Sequence, residues 1–178
     1  MRDEQPGRLI GEACGGQPGA PDGIGDRVQE RVAWPAHAAG KRGSSDCTQN
    51  KDPERRIAGC TRILQDANEP VHNRAVANEK IGLAYAAKGD FERAVSNFSE
   101  AIRLDRKFAS AYYNRALAYQ MRNDFDRAIA DYNEAIRLNP KYAAAYQGRG
   151  ITKQKKGDTS GGDADIAKAR EIQPGIGR

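Results

Sequence analysis

The sequence predicts an all-α protein built from repeated helical hairpins, and three observations lead to this prediction. Residues 75–108 and 109–142 align without a gap and share 15 of 34 residues. Within each copy the apolar residues recur at helical spacing, in two clusters. A Gly-Asp or Asn-Asp pair separates the clusters. A fixed period of this length indicates supersecondary units that bury their apolar faces against neighbouring units.

The first cluster of each copy predicts one amphipathic helix. Tyr112, Ala116 and Tyr119 follow an i, i+4, i+7 pattern, which places them on one helix face. Gly82 and Tyr85 take the corresponding positions in the preceding copy. The mixture of large and small residues on this face predicts that a second helix packs closely against it.

The second cluster predicts the partner helix of the hairpin. Its apolar positions are Ala94, Phe98, Ala101 and Leu104 in one copy, and Ala128, Tyr132, Ala135 and Leu138 in the next. Between the two clusters stand Gly89-Asp90 and Asn123-Asp124. Gly or Asn can adopt the left-handed conformation that ends a helix, and Asp can cap the next one. Each copy is therefore expected to be helix, tight turn, helix.

Both flanks of the two copies carry weaker helical patterns. A third copy begins at Ala143 and keeps the Gly157-Asp158 turn, but Lys153 replaces the Tyr and Gly162 replaces the packing Ala. Polar departures are expected in a terminal repeat, because one of its faces meets water. Upstream, Pro53–Leu64 reads as an amphipathic helix that caps the first repeat, with Pro53 in its first turn.

These residues resemble the tetratricopeptide repeat. The second copy supplies the whole pattern, namely Tyr112, Ala116, Tyr119, Ala128, Tyr132, Ala135 and Pro140. The first copy departs from it at Asn78 and Arg106. The resemblance implies a right-handed helical-hairpin solenoid with two clear repeats, a degenerate third and an N-terminal capping helix. From Cys47 to Arg178 the chain looks like small bacterial tetratricopeptide proteins, many of which are exported.

The composition divides the chain into a tail and an array. Residues 1–45 hold nine of the 19 Gly, four of the eight Pro and one aromatic residue, Trp34, so this segment is expected to be disordered. The expected divisions are a tail (1–45), a capping segment (46–74), repeat 1 (75–108), repeat 2 (109–142) and a degenerate repeat 3 (143–178).

Charge and hydropathy argue against several classes of partner. The net charge of +5 falls outside residues 1–45, and the two signs are interspersed, which is typical of a solvated surface rather than a nucleic-acid site. No stretch approaches the ~20 apolar residues of a membrane span. No signal peptide precedes the array as written, so the expectation is a cytoplasmic protein. A different start upstream would make it periplasmic or secreted.

The cysteines and histidines leave one question open. Cys47 and Cys60 flank the start of the capping helix, and they could form a disulfide in an oxidising compartment. Alternatively, Cys60 is a small buried apolar residue. His37 and His72 have no metal-ligand spacing with the Cys, so no metal or cofactor is expected. No nucleophile–base motif or phosphate loop appears, and the protein is not expected to be an enzyme.

The resemblance also implies where a partner binds. The first helix of each repeat would line a concave groove, and Tyr113, Leu117 and Met121 are expected to be exposed apolar anchors there. The predicted partner-binding residues are Val76, Leu83, Tyr113, Asn114, Leu117, Met121 and Ile151. The alternative is that the capping helix or the C-terminal helix covers these residues.

One ligand of the family is disfavoured by the residues at these positions. Some tetratricopeptide domains clamp the C-terminal carboxylate of heat-shock chaperones with Lys, Asn and Arg. Asn114 matches that set, but Glu79, Leu83, Ala144 and Gly148 stand where the other clamp residues belong. The expected function is thus a non-catalytic module that binds a peptide or helix of some other protein in its groove. The alternative is a structural or assembly protein that forms a homo-oligomer through its repeat ends.

Overall fold

The described part of the chain is entirely helical. A computed structural model describes residues 41–49 and 51–177, which belong to one compact unit and contain no strand. The helices are α1 (Lys41–Gln49), α2 (Pro53–Gln65), α3 (Val71–Ala87), α4 (Phe91–Leu104), α5 (Ala109–Met121), α6 (Phe125–Leu138), α7 (Ala143–Lys155) and α8 (Thr159–Ile172). The prediction of an all-α protein is confirmed.

Successive helices pair as hairpins and stack. Each helix packs against the next one along the chain, with the most extensive packing inside the pairs α3–α4, α5–α6 and α7–α8. The first helices of the hairpins also contact one another, α3 with α5 and α5 with α7. This arrangement confirms the predicted solenoid of helical hairpins and places α3, α5 and α7 side by side.

The turns inside the hairpins have the predicted conformation. Gly89, Asn123 and Gly157 have positive φ angles of 78°, 59° and 100°, at equivalent places in the three hairpins. The Asp that follows each of them caps the second helix, as when Asp124 accepts a hydrogen bond from the backbone N–H of Arg127. The αL residue ends one helix and the Asp starts the next, which explains the repeated pair in the sequence.

Large rings fill the space between packed helices, inside a hairpin for Phe98 and between neighbouring hairpins for Tyr132, and small residues make room for them. Phe98 and Tyr132 are among the largest fully buried side chains. A Cβ atom added at Gly82 would lie 2.6 Å from the Phe98 ring, and one added at Gly148 would lie 2.6 Å from the Tyr132 ring. Side chains at these two positions would therefore displace the rings that form the core.

The departures in the third hairpin have a structural reason. The Lys153 ammonium lies 2.9 Å from the Asp165 carboxylate of α8, so a cation occupies the place where the earlier repeats have Tyr85 and Tyr119. Gly162 brings α8 close to α7, because a Cβ there would lie 2.7 Å from the Gly150 carbonyl oxygen. The third hairpin thus holds together with an ion pair and close backbone contact instead of a ring.

The N-terminal part of the stack begins earlier than the sequence predicted. Helix α1 starts at Lys41, so residues 41–45 are helical and not disordered as expected. Residues 1–40, for which we also expected disorder, lie outside the described residues. Cys47 and Cys60 form a disulfide between α1 and α2, with Cα atoms 4.6 Å apart. Gly59 permits this approach, since a Cβ there would lie 2.7 Å from the Cys47 backbone nitrogen.

Candidate partner-binding face

The three first helices present one continuous surface, which we call the α3/α5/α7 face. Leu83, Leu117 and Ile151 are spaced by 34 residues and occupy the same place in successive hairpins. All three are half-buried. Met121, one turn beyond Leu117, is 60% exposed. This row of apolar side chains is accessible without being part of the fully buried core.

Tyr113 does not belong to that row, and the expectation that it is an exposed anchor is wrong. It is 7% exposed, and its ring lies 5.0 Å from the Tyr142 ring and 5.9 Å from the Tyr132 ring, measured between centroids. Burial raises the pKa of the Tyr113 hydroxyl. Tyr142 comes from the loop that leads into α7, and it covers Tyr113 from outside the hairpin. Val76 and Asn114 are also buried in the folded chain.

A buried carboxylate lies at the junction of α3 and α5. Glu79 is 5% exposed and accepts hydrogen bonds from the Ser110 hydroxyl at 2.5 Å and the Asn114 side-chain amide at 3.2 Å. The Lys80 ammonium lies 3.5 Å from its other oxygen. The Asn114 Oδ1 atom is buried and has no hydrogen-bond partner in the described part of the chain.

Sequence reasoning missed this cluster as a unit. It placed Glu79 and Asn114 separately on the groove and compared each with a residue of the chaperone-binding pattern. The signal that could have found the cluster is their separation of 35 residues, one repeat plus one position. That separation brings a residue of one first helix opposite a residue of the next.

A second polar junction joins α5, α6 and α7. The Tyr132 hydroxyl donates a hydrogen bond to the Gln120 side-chain oxygen at 2.9 Å, and the Thr152 hydroxyl lies 3.1 Å from the same oxygen. Burial raises the pKa of Tyr132, so the phenol stays protonated and remains a donor. This junction fixes the first helix of the third hairpin against the second hairpin.

Two arginines hold neighbouring hairpins together on the other side of the first helices. Arg115 donates two hydrogen bonds to the Asp131 carboxylate, at 2.7 and 2.8 Å, and a third to the Ser99 hydroxyl at 2.9 Å. It therefore joins α4, α5 and α6.

Arg149 repeats this arrangement one hairpin later. It donates two hydrogen bonds to Asp165 and one to the Asn133 side-chain oxygen. Burial alone would raise the pKa of Asp165, but hydrogen bonds from Arg149 and Lys153 outweigh burial and hold it below the ordinary value. Each arginine lies 16 residues before its Asp partner, so the same ion pair recurs in both hairpins. This recurrence indicates that the two arginines stabilise the fold.

The described residues contain no grouping of His, Cys, Asp and Glu that could hold a metal ion. Among the described helices, none is both long and apolar enough to cross a membrane. The buried polar groups described above pair with one another, apart from the one oxygen of Asn114. What the α3/α5/α7 face offers chemically is an apolar row beside a set of hydrogen-bonding groups.

Comparison with known families agrees with this geometry. A family model described as tetratricopeptide repeat matches residues 109–142, and a second one, described as TPR repeat, matches residues 82–123. Residues 82–142 of this chain are therefore similar to tetratricopeptide repeats. The sequence matches no curated protein.

Several solved structures are similar to this helical array. MamA superposes with a TM-score of 0.65 at 25% identity, covering 74% of each chain. The second TPR domain of human RPAP3, in complex with the HSP70 peptide SGPTIEEVD, gives 0.59 at 26% identity over 61% of this chain and 90% of that one. The second TPR of Spaghetti (RPAP3), bound to the HSP90 peptide SRMEEVD, gives 0.56 at 24% identity, covering 57% and 94%.

Proposed function

We propose that the array is a non-catalytic protein-interaction module that holds a peptide or helix of a partner protein on its α3/α5/α7 face. The observation that carries this proposal is the apolar row of Leu83, Leu117 and Ile151, with Met121 60% exposed beside it. Each hairpin contributes one half-buried apolar side chain at the same place. A partner segment lying along the face would contact all three hairpins at once.

The physical chemistry of the row suits an extended or helical partner. Accessible apolar side chains that adjoin one another mark interaction sites more often than isolated ones do. Met121 has a flexible, polarizable side chain that adapts to different shapes. The buried ring of Tyr113 and the half-buried ring of Tyr142 pack against each other, and Leu117 packs against the same cluster. Affinity would come from a few central anchors, as in most protein interfaces.

Two of the similar solved structures are complexes with short peptides, which supports a peptide partner for this chain as well. The absence of a catalytic constellation in the sequence points in the same direction.

The test is a comparison of two charge-introducing variants at exposed positions. Peptides that bind the full chain would be selected from a displayed random library, and the affinity of the best one would be measured by fluorescence anisotropy. Met121→Asp should weaken binding by more than tenfold, about 1.4 kcal/mol, because a carboxylate is not desolvated cheaply in an apolar contact. The matched control is Ala130→Asp, on the exposed side of α6, which should bind like the parent.

Light scattering on the same variants separates the proposal from self-association. A monomeric parent whose peptide binding depends on Met121 supports the interaction module. A stable dimer whose peptide binding is unaffected by Met121→Asp would favour assembly through the repeat ends.

We also propose that the chain matures in an oxidising compartment. Cys47 and Cys60 form the disulfide, and both side chains are fully buried. Structural disulfides of this kind persist in secreted and periplasmic proteins and are rare where glutathione keeps thiols reduced. Cell fractionation of the native host, with an antibody against residues 51–177, would test this, and recovery only with cytosolic markers would contradict it.

A further inference from the structure

Helices α1 and α2 form a further hairpin on the same plan as α3–α4. Gln49 and Ala87, the last residues of α1 and α3, are 38 residues apart, and so are Pro53 and Phe91, the first residues of α2 and α4. Asp52 caps α2 through its side chain, as the corresponding Asp caps the second helix of each later hairpin. The segment that the sequence predicted only as a capping helix therefore contains both helices of a hairpin.

This hairpin is joined to the next one as later hairpins are joined. Glu54, the second residue of α2, pairs with Lys88 directly after α3. Asp126, the second residue of α6, pairs in the same way with Lys156 directly after α7. Helix α1 contacts α3, just as α3 contacts α5 and α5 contacts α7. In the described part of the chain, the row of first helices thus has four members.

A disulfide stands in this hairpin where α3–α4 has aromatic rings. The interval of 38 residues places Cys47 on Tyr85 and Cys60 on Phe98, and these two rings belong to one packed cluster. Cys47 and Cys60 are both fully buried and are bonded to each other. Among the residues of α1 whose side chains are described, Cys47 is the one that is buried. A covalent bond therefore holds α1 where ring packing holds α3.

We infer that α1 is the fourth helix of the partner-binding face, and that the Cys47–Cys60 disulfide keeps it there. The inference rests on the proposed function of the α3/α5/α7 face. It adds to that proposal a polar end of the binding site and the chemical condition under which the site is complete. The oxidised chain presents four first helices to a partner, and the reduced chain presents three.

The residues that α1 contributes to the face are polar. Ser45 precedes Leu83 of the apolar row by 38 residues, and Gln49 precedes Ala87 by the same interval. Both Ser45 and Gln49 are exposed. Their hydroxyl and amide groups can donate and accept hydrogen bonds with the main chain or polar side chains of a partner. A suitable partner segment is therefore polar where it crosses α1 and apolar where it crosses α3, α5 and α7.

The position of α1 depends on the redox state of the two sulfur atoms. A dithiol opens the disulfide by exchange, in which the S–S bond breaks, two electrons and two protons pass to the sulfur atoms, and the dithiol becomes a disulfide. Because both cysteines are buried, α1 must first open locally. The sequence KRGSSDCTQ offers little apolar surface to offset the entropy of ordering the helix. Reduction should therefore release α1, and oxidation should complete the face.

The test compares the oxidised and the reduced full-length chain. Peptides of about 16 residues would be selected from a displayed random library on the oxidised chain, since four neighbouring helices span roughly 30 Å, or about nine extended residues. Dithiothreitol should weaken binding, measured by fluorescence anisotropy, by about fivefold or more, the effect of losing one or two hydrogen bonds. The variant with both Cys47→Ser and Cys60→Ser should bind as weakly as the reduced parent, with or without dithiothreitol.

Two variants that keep the disulfide separate the role of the face from the stability of the chain. Ser45→Ala combined with Gln49→Ala removes the polar groups of α1 from the face and should weaken binding to the oxidised chain. The matched control combines Ser96→Ala with Gln65→Ala, which removes the same two groups from exposed positions of α4 and α2. The control should bind the selected peptides like the parent.

Three results would overturn the inference. The first is equal affinity of the oxidised and reduced chains when hydrogen exchange shows that α1 has been released. The second is continued protection of the α1 amides after reduction, because the disulfide would then not be what holds the helix. The third is equal binding by the two alanine variants, and this comparison also decides the case in which reduction unfolds α5 and α6.

These outcomes are separate from those that test the interaction module itself. If Met121→Asp weakens binding while reduction and the alanine variants have no effect, the module stands and α1 is not part of the face. If Met121→Asp leaves binding intact, the module assignment fails, whatever reduction does.

Discussion

At the scale of single residues, burial separates side chains that the repeat pattern treats alike. Tyr119 and Tyr132 both occupy core positions of the tetratricopeptide pattern, but only Tyr132 is fully buried. Tyr119 is half-buried and lies under the guanidinium groups of Arg115 and Arg127. The ring of Tyr132 fills the space over Gly148, and its hydroxyl bonds to Gln120.

This difference predicts unequal effects of the same truncation. Tyr132→Ala should lower the free energy of unfolding by about 3–5 kcal/mol, as large-to-small changes of buried aromatic residues do. Tyr119→Ala should cost clearly less, because part of that ring already contacts water. Urea denaturation of the two variants and the parent measures both values. Equal losses would show that the half-exposed ring is as important to the core as the buried one.

The lowered pKa of Asp165 predicts a dependence on pH. A carboxyl group whose folded pKa lies below its ordinary value of 3.8 stabilises the fold above that value. This stability is lost as the pH falls through the ordinary pKa toward the folded one. The free energy of unfolding of the parent should therefore fall more steeply with acid than that of Asp165→Asn. The exposed neighbour gives the control, since Asp163→Asn should follow the parent, and parallel curves for all three proteins would contradict the prediction.

The repeat pattern predicted most of the core but less of the candidate face. Period and helical spacing identify which residues share a helix face, and the fully buried Phe98 and Tyr132 were identified in this way. Tyr113 was misplaced because its cover, Tyr142, comes from the next loop, and the periodicity of one helix does not report such a contact. The Glu79–Asn114 pair was missed for the same reason, as it joins two hairpins.

At the scale of helices, local signals fix the hairpin turns, whereas a cross-link holds the N-terminal helix. The Gly-Asp and Asn-Asp pairs act within a few residues, and so the sequence alone predicts them. Helix α1 differs, since Cys47 is its one fully buried residue among those whose side chains are described. Its sequence KRGSSDCTQ offers little apolar surface. Because residues 1–45 are rich in Gly and Pro, the composition of the sequence predicted that the first residues of α1 belong to a disordered tail.

The dependence of α1 on one residue predicts the effect of losing the disulfide. Cys47→Ser should detach α1 and lower the free energy of unfolding by roughly 3 kcal/mol, the chain-entropy value for a loop of this size. Hydrogen exchange should become fast in residues 41–49 and stay slow in α5 and α6. Ser45→Ala, at an exposed position of the same helix, is the control and should leave both measurements nearly unchanged. Protected amides in α1 of the Cys47→Ser protein would show that packing alone holds the helix.

At the scale of the whole molecule, the contacts in the described stack join only hairpins that are next to each other. Each described helix contacts the helices of its own hairpin and of the adjacent hairpins. Stability is therefore approximately a sum of hairpin terms and of terms for the interfaces between neighbouring hairpins. Two arginines contribute to these interfaces. Arg115 forms hydrogen bonds that join α4, α5 and α6, and Arg149 forms hydrogen bonds that join α6, α7 and α8. The two arginines make equivalent contacts at different distances from the end of the described stack.

The same substitution should therefore have different consequences at the two positions. Removing one partner of a largely buried ion pair costs about 3 kcal/mol or more. Arg115→Ala breaks a contact in the middle of the stack and should lower the melting temperature of the whole array. Arg149→Ala breaks one at its end, so hydrogen exchange should accelerate mainly in α8, where Gly161 and Gly162 already weaken the helix. Hydrogen exchange resolved by helix distinguishes the two cases. Acceleration across every helix in Arg149→Ala would mean that the array opens as one cooperative unit, and the description as a sum of neighbouring contacts would then fail.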